Sequence, residues 1–321
     1  METLIDVIIP LYNSEKYISN LLTNLEKQTL KKFRAIFVDD GSKDNTLEEL
    51  NKQLSTVSFA HKVLQQENQG AASARNYGLR ESNAEWTVFV DSDDSLLPEY
   101  LECLYASVVE AKADCGICRF EMVQESINCW EKTVGERDAK VLSAGECMAL
   151  HYAEWIAPVC MIINRKLFDN QDLFFDEQCK YCEDIPFITK VIEASERCVY
   201  LNHVLYLYWT HPGSLSRSPK LQKFVSGIEG FQRMEEQMKK SSSEAAQVFK
   251  KMGCARYYIG TLRKAAVQMN YHEFAELNQI VDFAKYKFQL CNMPLKQRIA
   301  GCLLLISKRL FYYAVKLAFK D

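Results

Sequence analysis

The amino-acid sequence predicts an α/β fold built on a mostly parallel central sheet, followed by a helical C-terminal region. Three observations carry this expectation. Short runs rich in β-branched and aromatic residues alternate with runs of helical period through the first half of the chain. Polar, turn-forming residues gather after the strand-like runs and before the helical ones. From Leu221 onward the β-branched clusters cease and helical spacing alone remains.

Val7-Ile8-Ile9 reads as the first strand. Ile18, Leu21, Leu22 and Leu25 then recur at helical spacing, with Asn13 or Ser14 expected as the N-cap. Ala35-Ile36-Phe37-Val38 is the second strand, and Thr46 with Glu49 has the spacing of a capping box for a helix carrying Leu47, Leu50 and Leu54. A third strand near Lys62-Val63-Leu64 leads through Asn68-Gln69-Gly70 to a helix from about Ala71. Trp86-Thr87-Val88-Phe89-Val90 is the fourth strand, ending in Asp91-Ser92-Asp93-Asp94. Pro98 then opens a helix with Leu101, Leu104, Tyr105 and Val108 on its inner face. A boundary is expected near Pro219, giving a catalytic domain over 1–218 and a helical region over 219–321.

Composition narrows the function. At 321 residues, 48% hydrophobic and 25% charged, the chain is that of a folded globular protein and neither disordered nor fibrous. A formal net charge of -3 provides no general attraction to nucleic acid, so no nucleic-acid partner is expected. The 12 cysteines are scattered, and Cys115/Cys118 and Cys179/Cys182 are the closely spaced pairs. On a strand the first spacing sends the two thiols to opposite faces, which argues for buried reduced thiols over zinc ligands. Met1 to Asp6 shows neither the basic region nor the apolar core of a signal peptide, so cytoplasmic residence is expected, without disulfides.

Three loops fall at the same edge of the expected sheet: Pro10-Leu11-Tyr12-Asn13, Asp39-Asp40-Gly41-Ser42-Lys43-Asp44 and Asp91-Ser92-Asp93-Asp94. Each alone serves as a cap or turn. Together they concentrate carboxylates where open α/β sheets place ligands, and such a cluster calls for a cation. Mg²⁺ or Mn²⁺ takes oxygen ligands and is shared between one or two carboxylates and substrate phosphates, a task that Asp91 and Asp93 suit. No glycine-rich phosphate loop of the dinucleotide or P-loop type is present, which argues against NAD enzymes and ordinary ATPases.

These motifs resemble, in order, the four N-terminal signatures of the inverting family 2 glycosyltransferases, whose nucleotide-sugar fold is called GT-A. The matching stretches are Val7 to Asn13, Val38 to Thr46, Asn68-Gln69-Gly70 through Ala74-Arg75-Asn76-Tyr77-Gly78, and Phe89 to Asp94. The likeness is to the members that build bacterial cell-surface polysaccharide, and it extends over roughly residues 4 to 217. It implies a UDP-sugar donor: Pro10 and Tyr12 flanking the base with Asn13 beside them, Asp40 bonding a uracil imide, and Arg75 near base or phosphates. Asp91 would address ribose and metal, Asp93 the metal, and Asp94 the sugar pocket. For Arg75 the alternative is a surface position on its helix.

Glu183-Asp184 opens a helix carrying Ile185, Phe187, Ile188, Val191 and Ile192. The resemblance implies that Asp184 is the catalytic base, with Glu183 the second candidate; Cys182 stands where the family commonly has glycine. A diphosphate leaves readily once its charge is neutralised, so one base and no acid suffices, and a single displacement inverts the anomeric centre. Tyr208 to Arg217 resembles a loop that folds over diphosphate, with His211 a third metal ligand and Arg217 a phosphate partner. Trp155 is a core residue or a sugar platform.

In the last stretch Lys296, Arg298, Lys308, Arg309, Lys316 and Lys320 interleave with Leu, Ile, Phe and Tyr. Its apolar runs fall short of the ~20 residues that a spanning helix needs. A peripheral membrane contact through 296–321, a homodimer contact and a docking helix stay open. The expected partners are thus a nucleotide-sugar donor and a glycan or lipid-linked acceptor. The competing functions are a catalytically idle nucleotide-binding relative and a metal-dependent nucleotidyltransferase.

Overall fold

Ile5, Val7, Ile8, Ile9 and Leu11 bury β1 (Ile5–Leu11) on both faces, as a central parallel strand requires. In the computed structural model, which describes residues 3–123, 138–154, 156–169, 173–210 and 221–319, β1 pairs in parallel with β2 (Phe33–Asp39) and β4 (Trp86–Phe89), and β2 pairs with β3 (Ala60–Gln65). The helices α1 (Ile18–Glu26), α2 (Thr46–Leu54) and α3 (Ala71–Glu81) make the crossovers. Beyond β4 the sheet is mixed. It continues through β8 (Met161–Asn164), antiparallel to β4 and to β6 (Cys115–Val123), then through β9 (Arg197–Trp209), parallel to β6. The short β5 (Ser95–Leu96) and β7 (Ala139–Ser143) pair antiparallel with β9.

The expected strands and helices of the first half are present within a residue or two, and the exceptions are instructive. Ser14 does not cap α1; it precedes a 3₁₀ turn, Glu15–Tyr17, and α1 begins only at Ile18. The capping box of Thr46 and Glu49 does not form either. Asn45 is the N-cap without a side-chain bond, Thr46 Oγ1 accepts from Ser14 N–H instead, and Glu49 accepts from Gln53. In both cases a loop-to-loop bond displaces the local cap.

Packing explains several small or polar choices. A Cβ at Gly78 would overlap Ile8, so glycine lets α3 lie directly on β1. Ile18, Leu21, Leu22 and Leu25 bury the inner side of α1, about 1.5–3 kcal/mol each. Asn24 and Gln28 share that side because the chain around β5 leaves backbone groups unmet: Asn24 Oδ1 accepts from Leu96 N–H at 2.9 Å, and Gln28 donates to Leu97 O at 2.9 Å. Cys115 and Cys198 are buried neighbours at 3.3 Å between sulfurs on paired strands, and all the described cysteines are free thiols.

The helix α4 (Tyr100–Ala111) covers the β6–β9 side, and α5 (Ala144–Ala153), α6 (Lys166–Asp169) and α7 (Asp184–Ala194) follow. The helical region comprises α8 (Leu221–Lys240), α9 (Glu244–Val248), a π-helical turn Phe249–Gly253, α10 (Cys254–Gln268), α11 (Tyr271–Ile280), a 3₁₀ run Phe283–Asn292, α12 (Leu295–Ile306) and α13 (Lys308–Ala318). Ser307, extended at φ -160°, separates the last two and caps α13.

Two compact units divide the chain. The first is Met1–Ala144, Ile156–Glu177 and Phe187–Pro212; the second is Gly145–Trp155, Gln178–Pro186 and Gly213–Asp321. The boundary expected near Pro219 lies outside the described residues, and two earlier segments, 145–155 and 178–186, group with the C-terminal helices. Among the described residues no helix is long and apolar enough to cross a membrane.

Candidate active site

Parallel pairing of β1 with β2 and β4 puts the three polar loops at one edge of the first unit. They are sewn together by their own motif side chains. Asn13 adopts a left-handed conformation, φ 50°, which asparagine tolerates; its Oδ1 accepts from Lys43 N–H at 2.8 Å and its N–H donates to Ser42 Oγ at 3.0 Å. Ser14 N–H donates to Thr46 Oγ1 at 2.7 Å, and Ser14 Oγ lies 2.9 Å from Ser92 Oγ. Pro10 is half-buried at the end of β1, while Tyr12 keeps 47% of its surface exposed, which leaves ring area for stacking.

Asp40 is buried and its carboxylate organises the strap from Gln66 to Gly70. Gln66 Nε2, Gln69 N–H and Gly70 N–H each donate to it at 2.8 Å. Only the last of these reaches Oδ2, which retains acceptor capacity. Gly41, at φ +69°, completes the turn, and a Cβ there would stand 2.9 Å from Asn68 N. Substituting Asp40 by alanine would therefore disturb this strap as well as any base contact. Its neighbour Asp39 is equally buried; Oδ2 accepts from Ser42 N–H at 3.2 Å, but Oδ1 meets no donor among the described residues. Sequence reasoning passed over Asp39, although the Asp-Asp doublet marked it.

The fourth motif is anchored from below. Arg75, on α3, is buried; its guanidinium bonds Asp91 Oδ1 at 2.8 Å and lies 5.4 Å from the centroid of the Phe175 ring. The alternative of a surface arginine is thereby removed. Asp94 is also buried, accepting from Tyr206 O–H at 2.7 Å and Trp209 N–H at 2.8 Å. Burial and the nearby negative Asp91 and Asp93 push the Asp94 carboxyl well above the usual carboxylate range, against the Tyr206 bond. Tyr206, whose O–H accepts from Asp91 N–H as well, was not legible as a site residue; its only signal was an aromatic in an apolar strand.

A divalent cation fits this turn on one count. Asp91, Asp93 and Asp94 crowd one turn, the Arg75 guanidinium pairs with Asp91, and a cation there would relieve the crowding further. Among the described residues no group of three or more His, Cys, Asp and Glu forms a complete cage. His211 and Arg217, as well as Trp155, lie outside the described residues. A cleft of about 410 Å³ beside α1 and α2 shares Asn13 with the loop edge and is lined further by Glu15, Lys16, Asp44 and Glu49, an acidic excess that disfavours phosphate there.

In the second unit, Asp184 begins α7 and is half-buried, its Oδ1 accepting from Ile185 N–H at 2.9 Å. Cys182 just before it has φ 56°. Glycine takes this left-handed conformation freely, and a cysteine there carries about 1–2 kcal/mol of strain. Burial, followed by the negative Asp184, pushes the Cys182 thiol up, so it is not a thiolate. The segment rests on α8. Ser226 Oγ accepts from Lys180 N–H at 2.7 Å and donates to Gln178 O at 2.9 Å, and a Cβ at Gly227 would lie 2.6 Å from Tyr181 O. His151, buried in the same unit, has no hydrogen-bond partner of good geometry at either ring nitrogen. Burial lowers its pKa to about 4, the nearby Ile185 backbone opposing this weakly.

The family model for glycosyl transferase family 2 matches residues 6–170, half of the chain and every one of the sheet-edge loops. The chain belongs to this family. Among family 2 relatives, it is 32% identical over 228 residues to glycosyltransferase GlyG of Streptococcus pneumoniae serotype 4, covering 68% of this chain and 74% of that one. Glycosyltransferase GlyA of the same organism is 32% identical over 222 residues, 66% of this chain; the match spans only 31% of GlyA's length. The fold is that of S. aureus TarS 1–349 in complex with UDP-GlcNAc, at a TM-score of 0.74 and 22% identity, covering 99% of this chain and 92% of that one. The GT-A-like architecture expected from the motifs is thus present. The family 2 match ends before Asp184 and does not bear on that residue's role.

Proposed function

We propose that the chain is an inverting glycosyltransferase that moves a hexosyl or N-acetylhexosaminyl group from a UDP-sugar to a hydroxyl of a glycan or lipid-linked acceptor in cell-surface polysaccharide synthesis. The observation that carries this reading is the sheet edge itself: Tyr12, Asp39, Asp40, Asp91 and Asp93 meet at cross-linked strand ends and loops, and Arg75 reaches Asp91 from α3. Tyr12 and Pro10 hold the base, Asp40 Oδ2 accepts from its imide, and Arg75 with Asp91 borders ribose and diphosphate. Asp94 supports the site from beneath through Tyr206 and Trp209. The complex of TarS with UDP-GlcNAc supports uridine diphosphate as carrier.

Asp91 and Asp93 would hold Mn²⁺ or Mg²⁺ together with diphosphate oxygens and water, with His211 as a further ligand and Arg217 on the phosphates. Bound there, the ion supplies charge neutralisation for the leaving diphosphate. Asp184 takes the proton of the attacking hydroxyl, and Glu183 is the neighbouring carboxylate. In this reading 1–218 is the catalytic domain, 219–321 serves acceptor, membrane or dimer contacts, and the enzyme works at the inner face of the membrane. A panel of UDP-sugars scored for hydrolysis and transfer with Mn²⁺ present tests the reaction, and calorimetry of UDP with Mn²⁺ and with chelator tests the ion. No turnover of any UDP-sugar would sink the reaction; equal UDP affinity in both buffers, or undiminished metal dependence in Asp93→Ala, would remove the coordination.

A further inference from the structure

The two last helices are apolar on opposite sides. In α12, Gly301 and Leu304 are buried, while Leu295, Ile299, Cys302 and Ile306, spaced i, i+4, i+7 and i+11, form a stripe on the other side. Leu295 is 69% exposed and Ile306 74%. In α13, Phe311, Tyr312 and Val315 are buried, and Leu310, Tyr313 and Leu317, at i, i+3 and i+7, lie opposite them, Leu317 being 73% exposed. A helix docked on one domain turns its polar side to water. Apolar stripes turned outward on each of two successive helices are surface to be covered.

Charge identifies the cover. From Phe283 through Lys320 there are eight Lys and Arg and no Asp or Glu, in a chain whose formal net charge is -3. At 3.6 residues per turn, Lys296 and Arg298 flank the α12 stripe on either side, and Arg309 and Lys316 run along one side of the α13 stripe. Arg309 lies over the rings of Tyr271 and Tyr313, and Lys316 Nζ donates to Val267 O at 2.8 Å, which fixes these cations beside the stripe.

We propose that the outer sides of α12 and α13 bind the surface of an anionic lipid bilayer, the helices lying in the headgroup plane. A bilayer offers hydrocarbon to Leu295, Ile299, Ile306, Leu310 and Leu317 and phosphate to the cations beside them. A second copy of the same face would bring its own cations against these, so a two-fold dimer through this surface is opposed by charge. The proposal rests on the transferase reading only for the relevance of a membrane-bound acceptor; binding itself needs no donor.

The experiment is co-sedimentation of the full chain with vesicles of phosphatidylcholine alone and of phosphatidylcholine mixed with phosphatidylglycerol. The bound fraction rises about tenfold or more with the anionic lipid and falls as salt shortens the Debye length. Leu310→Glu/Leu317→Glu, at exposed positions, loses vesicle binding about tenfold while melting as the parent does. Lys296→Glu/Arg309→Glu, which leaves the stripes intact, loses the preference for anionic lipid. Equal binding to both vesicles, binding to neither, or retention in the leucine double variant overturns the proposal. So does a parent dimer that the same variant converts to monomer without any vesicle binding in the parent. UDP calorimetry on the leucine variant stays at the parent value, so failure on vesicles and failure of the donor reading register separately.

Discussion

The sheet edge of the first unit and the segment around Asp184 in the second are built on different plans. At the edge, polar groups are mostly matched: buried Asp40 takes three donors, exposed Asn13 bridges two loops, and buried Asp94 is held by Tyr206 and Trp209. Around Asp184, Cys182 holds a left-handed backbone that its side chain disfavours, and His151 is buried with neither nitrogen properly bonded. The contrast teaches that a donor site which must present fixed oxygens is stiffened by shared hydrogen bonds. The segment around Asp184 instead tolerates stored cost.

The largest expected effect separates the two directly. Asp184→Asn should lower sugar transfer by ~10²–10⁴-fold, because the amide keeps the size but cannot take the proton. UDP affinity should stay within a few-fold of the parent. A variant with transfer near the parent rate would move the base to Glu183 or elsewhere.

His151 tests the cost stored in the second plan. Its folded pKa, about 4, lies below the unfolded value near 6.5, so the unfolded chain binds the proton first as pH falls. Its contribution is therefore fully present above about pH 6.5 and is lost between there and about pH 4, a change on the order of 3 kcal/mol. Asp94, held above its usual range, acts in the opposite sense, so the readout is the difference in urea stability between parent and His151→Leu across this window. Parallel pH profiles for the two proteins would mean that His151 reaches a partner.

Gly41→Ala probes the edge. With φ at +69° and the new Cβ 2.9 Å from Asn68 N, it should cost on the order of 2 kcal/mol in thermal or urea unfolding and weaken UDP binding with it. Full stability would show that the Gln66–Gly70 strap yields more readily than its bonds to Asp40 imply.

The smallest effect has the opposite sign. Cys182→Gly should relieve about 1 kcal/mol of backbone strain and raise the melting temperature, leaving transfer intact. A lower melting temperature would mean that packing of the thiol outweighs the conformation.

By itself the sequence determined the strands, the helices and the edge at which the polar loops meet, because periodicity and turn chemistry are local and alternating strands and helices place successive loops together. It also marked Asp40, Arg75, Asp91, Asp93 and Asp94, through the resemblance that their motifs carry. Only the tertiary structure decided how they are held. The Thr46 hydroxyl accepts from Ser14 N–H and the Ser14 hydroxyl meets Ser92 in place of the expected caps, Asn24 and Gln28 turn inward to serve a distant backbone, and Tyr206 under Asp94 is an ordinary strand tyrosine until β9 folds beside that turn. The same holds for α8, whose Ser226 and Gly227 seat the segment before Asp184. Periodicity reports that a helix has an apolar side but not which of two apolar sides is buried. That is why 296–321 read as one ambiguous segment, and why burial was needed to show two helices with their outer stripes exposed.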